Sequence, residues 1–316
     1  MPSSTLPPLR IGTRASRLAR WQAQWVAGRL GPIASGRKIE LVEVTTTGDR
    51  VTDRQLAEIG GTGVFTKELQ RALLDGLADV AVHSLKDLPT ETPPSLLLAA
   101  VPQRASARDV VICREGGALA DLRAGARVAT GSLRRRAQLL HLRSDLEMCE
   151  VRGNVETRLA KLDEGRFDAL VLAEAGLTRL GLAGRISEVL DVDRMLPAAG
   201  QGALGIECRA DDRETRSLLE SIRDANSESA VRAERTVLAA LNAGCHAPVG
   251  VYATVDAGEL LLRAAVLSVD GRTRLDATLA GSPHDAESLG ERAADELLGQ
   301  GAAALIESGG PSLNRA

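Results

Sequence analysis

The hydrophobic positions change their period along the chain, and the changes divide it. Leu9–Thr13 reads as a short strand. Ser16–Leu30 has helical spacing, with Leu18, Trp21, Trp25 and Val26 on one side. Ile39–Thr47 is rich in β-branched residues and predicts a strand. Thr66 stands where a helix cap belongs, ahead of Leu69, Ala72 and Leu73 at helical spacing. Asp79–His83 and Leu96–Val101 predict two further strands. Residues 102–108, PQRASAR, form a polar connector.

Beyond the connector the pattern repeats. Val110–Cys113, Val128–Thr130, Leu146–Val151 and Ala169–Ala173 predict strands. Ser132 and Asn154 are placed as helix caps, the second helix running to Glu164 with Gly165 as its stop. This alternation predicts parallel sheets with helices on both faces. Residues 197–202, PAAGQG, form a second connector, and Leu204–Cys208 predicts a strand that returns to the first unit. The character then changes. Ser227–Ala243 predicts a helix ending at Gly244. Val249–Val255, Glu259–Leu267 and Thr273–Leu279 predict three consecutive strands, with the turn signals DAG and DG between them. Ser282–Pro283 opens a last helix to about Glu307, with proline at its first position. The expected architecture is two doubly wound α/β domains and a third, small α+β domain with a three-stranded antiparallel sheet. Their spans are 1–102 with 203–220, then 108–196, then 225–316.

Composition narrows the classes. The 316 residues are 44% hydrophobic and 26% charged, a globular balance. No apolar run approaches the roughly 18 residues that span a bilayer. The start, MPSSTLPPLR, has no apolar signal region, so a cytoplasmic protein is expected. The net charge of -3 and five aromatic residues argue against a nucleic-acid partner. Cys113, Cys149, Cys208 and Cys245 are widely spaced without a CxxC pair, which argues against zinc and against a disulfide scaffold. The basic residues are lopsided, 35 arginines to 4 lysines. Most of that excess reads as coding bias on solvated faces. A subset reads as forks for carboxylate or phosphate, which lysine cannot form.

Position separates the subset. In TGSLRRR, Thr130–Arg136, a strand end meets Gly131 and the cap Ser132, and free backbone N–H groups make an anion site there. Arg134 and Arg135 add two guanidinium groups. VRGNVETR, Val151–Arg158, repeats the design with Gly153 and Asn154 between Arg152 and Arg158. Arg179 in GLTRLGL is near enough in the pattern to join them. HSLKD, His83–Asp87, follows an apolar strand, and its acid reads either as a turn residue or as a general acid beside Lys86. Cys245 lies in the loop NAGCHAPVG, where a covalent attachment is reachable. A dyad with the adjacent His246 is disfavoured, because sequence neighbours rarely face each other. GGTG at Gly60–Gly63 lacks the strand–turn–helix setting of a dinucleotide site.

These segments, with TRASRLARWQA, GGTGVFTKEL, LAEAGLTRLGL and LPAAGQGALGIECR, occur in the order in which the porphobilinogen deaminase family carries them. The chain resembles that family over nearly its whole length. The resemblance implies two periplasmic-binding-protein-like domains and the head-to-tail joining of porphobilinogen units, with loss of ammonia, into hydroxymethylbilane. It implies a dipyrromethane cofactor held by a thioether to Cys245, a catalytic Asp87 assisted by Lys86, and no metal. It implies carboxylate binding by Arg14, Ser16, Ser84, Lys86, Thr130, Ser132, Arg134, Arg135, Arg152, Gly153, Arg158 and Arg179. Phe65 matches an aromatic that packs near the cofactor, and Gln201 lies in the hinge motif. The family expectation is a monomer with neither nucleic acid nor membrane as a partner. Glu58 and Thr62 stand where relatives often have lysine, and Gly131 where many have serine. Without the family, the first two units also suit a bilobed carboxylate-binding protein lacking catalysis. That reading leaves the Cys245 loop and the third domain unexplained.

If the arginine forks bind carboxylates, Arg134→Lys and Arg152→Lys each slow elongation of the pyrrole chain. Steady-state kinetics check this, and wild-type values would return both positions to the coding-bias reading.

Overall fold

The protein is described from a computed structural model, over residues 6–44, 66–244 and 247–309. Thr45–Thr47, the loop Glu58–Thr62, Phe65, Cys245 and His246 lie outside the described residues. In chain order the first elements are β1 (Leu9–Thr13), α1 (Arg17–Leu30), β2 (Ile39–Glu43), α2 (Lys67–Leu74), β3 (Val80–Ser84) and β4 (Leu96–Ala100). There follow β5 (Asp109–Cys113), β6 (Arg127–Ala129), α3 (Leu133–Leu142), β7 (Glu147–Cys149), α4 (Val155–Asp163), β8 (Ala169–Ala173), α5 (Glu174–Arg179) and β9 (Glu188–Val189). The remainder comprises β10 (Leu204–Arg209), α6 (Arg213–Glu220), α7 (Ala225–Ala240), β11 (Val249–Asp256), β12 (Glu259–Leu267), β13 (Arg274–Gly281), α8 (Ala286–Gly299) and α9 (Ala302–Gly309). No helix among the described residues is long and apolar enough to cross a membrane.

The chain forms two compact units. Unit 1 comprises Met1–Arg104 and Ala203–Glu228, and unit 2 comprises Ala105–Gly202 and Ser229–Ala316. Unit 1 holds a five-stranded sheet in the order β2-β1-β3-β10-β4. Unit 2 holds a second, β7-β6-β8-β5-β9, and the antiparallel sheet β11-β12-β13. The α/β class and the three-stranded sheet agree with expectation. The purely parallel pairing does not. β10 runs antiparallel to β3 and β4, and β5 runs antiparallel to β8 and β9. Each is the first strand after a connector. No βαβ crossover joins either to its sheet neighbours, so nothing enforces parallel pairing.

Both faces of each five-stranded sheet are buried, which accounts for the unbroken apolar runs. Along β5, Val111 and Cys113 enter one core of unit 2 while Val110 and Ile112 enter another. Along β8, Ala169 and Val171 join the first and Leu170 and Leu172 the second. In unit 1, Val80 and Val82 pack under α1 with Ala23, Val26 and Leu30, and Ala81 packs under α2. The buried stripe of α1 is Ala19, Gln22, Ala23, Val26 and Leu30. Leu18, Trp21 and Trp25 are half-buried at its border, so the expected face is rotated: small residues let the helix lie close to the sheet. The predicted last helix is also corrected. Pro283 opens a short 3-10 turn, and Gly301 at φ +100° separates α8 from α9. Proline's fixed φ and missing N–H suit that tight turn.

The second connector closes at Gly202, with φ +85°. A Cβ there would stand 2.5 Å from the carbonyl oxygens of both Ala105 and Ser106. Gly202→Ala therefore meets left-handed strain and two backbone clashes, and the expected loss is about 1–3 kcal/mol or more. Urea denaturation measures it, and an unchanged midpoint would contradict the close approach.

Candidate functional site

In unit 1, chain order and pairing bring distant segments together. β1 and β3 are parallel neighbours, so Arg14 and Ser16 emerge beside Ser84. Ser16 caps α1 by accepting from the Ala19 N–H at 3.3 Å. β3 ends in a single 3-10 turn, Leu85–Asp87, that sequence periodicity did not reveal. Leu85 is 1% exposed and anchors this turn. A Cβ on Gly205 would lie 2.7 Å from Leu85 Cδ1, so glycine leaves the room the turn needs. With Leu85 inward, Asp87 is exposed at the mouth of a cavity. Arg14, Ser16, Gln22, His83, Ser84 and Asp87 line that cavity. Lys86 shares the turn and is half-buried outside this lining. Gln22 and His83 were not singled out from the sequence. Gln22 donates Nε2 to Ser84 Oγ at 2.8 Å. A polar residue in the buried stripe of α1 was the signal for it.

In unit 2, β6 is parallel to both β7 and β8. Their carboxyl ends therefore deliver TGSLRRR, VRGN and α5 to one edge of the sheet. Thr130 is buried, and its hydroxyl accepts from the Ser132 N–H at 3.2 Å. Ser132 caps α3, and Asn154 caps α4 by accepting from the Thr157 N–H at 2.8 Å. A Cβ on Gly131 would lie 2.9 Å from Val151 O, so the two turns touch. Gly153 takes φ +111° between them. Arg152 donates Nε to Glu150 Oε1 at 2.9 Å. Arg158 donates Nε to Gly153 O at 2.7 Å. Arg179, in the last turn of α5, donates Nη2 to Gly202 O at 2.7 Å. Burial pulls the Arg179 guanidinium down to about 10, which leaves it charged at neutral pH.

Arg134 and Arg135 turn inward, onto an acid that sequence reasoning passed over. Asp109, at the start of β5, is fully buried. Arg135 donates Nε and Nη2 to Asp109 Oδ1 at 3.1 and 2.8 Å, and Nη1 to Val171 O at 3.0 Å. Arg134 donates Nη1 to Asp109 Oδ2 at 2.7 Å and to Leu196 O at 2.6 Å. Gln201 donates Nε2 to Asp109 Oδ1 at 2.8 Å and to Ala107 O at 2.6 Å, which ties both connectors to this acid. Burial alone would raise the Asp109 carboxyl, but the charges of Arg134 and Arg135 hold it well below the usual range. Burial lowers Arg134, and Asp109 opposes that shift. Among the described residues the cluster thus sets two cations against one carboxylate. Arg134 Nε is buried without a hydrogen-bond partner among the described residues.

The described cysteines are all free thiols. Burial pushes Cys113 and Cys149 up, and Cys208 up to about 11. Raised thiols are poor nucleophiles. Among the described residues no group of three or more His, Cys, Asp or Glu could hold a metal ion.

Two family models match the chain. "Porphobilinogen deaminase, dipyromethane cofactor binding domain" covers residues 9–217, and "Porphobilinogen deaminase, C-terminal domain" covers residues 229–299. The porphobilinogen deaminase of Syntrophotalea carbinolica is 49% identical over 298 residues, 94% of this chain and 95% of its own. That of Pelobacter propionicus is 47% identical over 304 residues, 96% of this chain and 98% of its own. Solved structures that match weakly include the BenM effector binding domain with benzoate, at TM-score 0.42 and 17% identity. That likeness covers 69% of this chain and 91% of BenM's. The sulfonate-binding protein SsuA of Methylobacillus flagellatus matches at TM-score 0.39 and 16% identity, over 73% of this chain and 67% of its own. At such scores they carry no functional argument.

Asp109→Asn strands two buried guanidinium groups, and the expected loss is about 3–5 kcal/mol in urea denaturation. The pH dependence has a definite sign. The native carboxyl binds its proton less readily than the unfolded one, whose value is about 3.9, so stability rises with pH through this window. Asp109's contribution is complete above the unfolded value and is lost as pH falls toward the folded one. Below about pH 4, wild-type stability falls more steeply than that of Asp109→Asn. Parallel acid limbs would contradict the assignment.

Proposed function

Since this chain belongs to the porphobilinogen deaminase family, we propose that it joins four porphobilinogen units head to tail, releasing ammonia, into hydroxymethylbilane. The observation that carries the residue-level reading is the cavity of unit 1. Arg14 and Ser16 line it together with Ser84 and Asp87, about seventy positions later in the chain. Each porphobilinogen unit carries an acetate and a propionate, and Arg14 offers a charge-assisted hydrogen bond to one of them. Loss of ammonia from the aminomethyl group leaves positive charge spread over the pyrrole nitrogen. Asp87, an acceptor-only carboxylate at the cavity mouth, binds the pyrrole N–H and stabilises that charge. Lys86, in the same turn, adds a cation for substrate carboxylates.

The residues of unit 2 fit a polycarboxylate cofactor. The two-cation cluster under Arg134 supports this, as do the caps at Thr130–Ser132 and Gly153–Asn154. Arg135, Arg152, Arg158 and Arg179 complete the set that would hold a dipyrromethane. When bound, that group supplies a covalent primer that retains the growing chain. The resemblance of NAGCHAPVG to the family's motif points to Cys245 for the thioether. Gln201, bonded to both connectors' backbone and to Asp109, serves as the hinge residue. Family membership supports a cytoplasmic, monomeric transferase.

The intact purified protein is expected to exceed its sequence mass by a two-pyrrole adduct that Cys245→Ser lacks. An unmodified, fully active protein would overturn the cofactor assignment. Asp87→Asn keeps the adduct and loses turnover about a hundredfold or more. A near-wild-type rate would remove Asp87 from its role.

A further inference from the structure

Unit 1 buries a histidine and a glutamate that the reading above leaves without a role. β3 and β10 run antiparallel, with Gly205 opposite His83 and Glu207 opposite Ala81. The period of two puts His83 and Glu207 on one face of the sheet, as diagonal neighbours. On that face Ala81 packs against Leu69, Ala72 and Leu73 of α2. Glu207 is 0% exposed and His83 5%. His83 Nε2 stands 3.0 Å from Glu207 Oε2, off the hydrogen-bond direction. Gln70 of α2 donates Nε2 to Glu207 Oε1 and Oε2 at 3.1 and 3.2 Å.

A carboxylate this deep is costly unless a cation or a proton answers it. Gln70 is neutral, so among the described residues His83 is the ionisable group paired with Glu207. His83 also lines the cavity with Asp87, Ser84 and Arg14. A buried carboxylate therefore backs an imidazole that borders the reaction pocket. At 3.0 Å the carboxylate is a charge partner for the ring, as carboxylates are for catalytic imidazoles.

The condensation needs such a base. Ammonia leaves a porphobilinogen unit with the electron pair of its C–N bond. The methylene carbon then bonds to the α-carbon of the unit added before it. That α-carbon still carries a hydrogen, and the C–H bond must break so that its electron pair restores the aromatic ring. We propose that His83, paired with Glu207, accepts this proton at Nδ1, the ring nitrogen that is not the one set against Glu207. The proton then passes to the released ammonia or to water, and the pair is reset. Asp87 keeps its place as the stabiliser of charge on the pyrrole N–H groups, so the two steps draw on different side chains of one cavity. The proposal rests on that cavity being the condensation site.

The test uses holoenzyme and porphobilinogen deuterated at its free α-position. His83→Gln and Glu207→Gln are compared with wild type for adduct mass, thermal denaturation, turnover and isotope effect. His83→Gln is expected to keep the adduct, to lose turnover about a hundredfold or more, and to show a larger primary isotope effect than wild type, because C–H cleavage becomes rate-limiting. Glu207→Gln, which keeps side-chain volume and an acceptor, is expected to move both readouts the same way by less. A fall in turnover with an unchanged isotope effect would assign the pair to folding alone and overturn the proposal. Wild-type turnover in His83→Gln would overturn it as well. If His83→Gln does not fold, an unchanged isotope effect in Glu207→Gln overturns it. Wild-type protein that fails to consume porphobilinogen would instead overturn the reading of the cavity.

Discussion

Two guanidinium groups share one carboxylate inside unit 2, and the rest of that unit's candidate site is built on the arrangement. Asp109 arrives on β5, Arg134 and Arg135 on the first turn of α3, and Gln201 from the second connector. Removing three charged groups from water is unfavourable, and only their mutual geometry offsets it. That requirement fixes where α3 begins. The start of α3 in turn fixes the Ser132 cap and the turn at Gly131, which presses against Val151 and so sets the second turn. Under the proposed function, the cluster's excess of positive charge suits it to an anionic ligand.

Unit 1 solves a different problem. Its cavity keeps one carboxylate, Asp87, in contact with solvent and surrounds it with Ser16, Gln22, His83, Ser84 and Arg14. The side chain owes its position to apolar packing: Leu85 is buried, Gly205 makes room, and the turn that follows has one way to go. Under the proposed function, unit 1 supplies charge stabilisation at the reacting ring and unit 2 holds the carboxylates of the chain. Family membership displaces the alternative of a carboxylate-binding protein without catalysis.

The elements with a clear period were legible in the sequence. β8 falls on the predicted residues, and Ser132 and Asn154 cap helices as expected. Strand direction was not legible, because local alternation carries no information about which strand a returning segment will pair with. The excess of arginine over lysine was equally mute. Arg71, Arg166 and Arg194 form exposed ion pairs of the kind that contribute little. Arg134 and Arg135 stood apart in the sequence by their place after the Gly131–Ser132 turn, but their burial did not show there. What distinguishes them is Asp109, some twenty-five residues earlier, and only the fold brings it to them. His83 and Glu207 were hidden for the same reason, since their pairing depends on the register of two strands more than a hundred residues apart.

The central claim is that this chain elongates a covalently held pyrrole chain one unit at a time. Intact-mass analysis of enzyme quenched during turnover with limiting porphobilinogen tests it most directly. The account predicts a ladder of masses above the resting holoenzyme, evenly spaced by porphobilinogen less ammonia and ending when a four-unit product is released. A single unchanged mass accompanying product formation would contradict it.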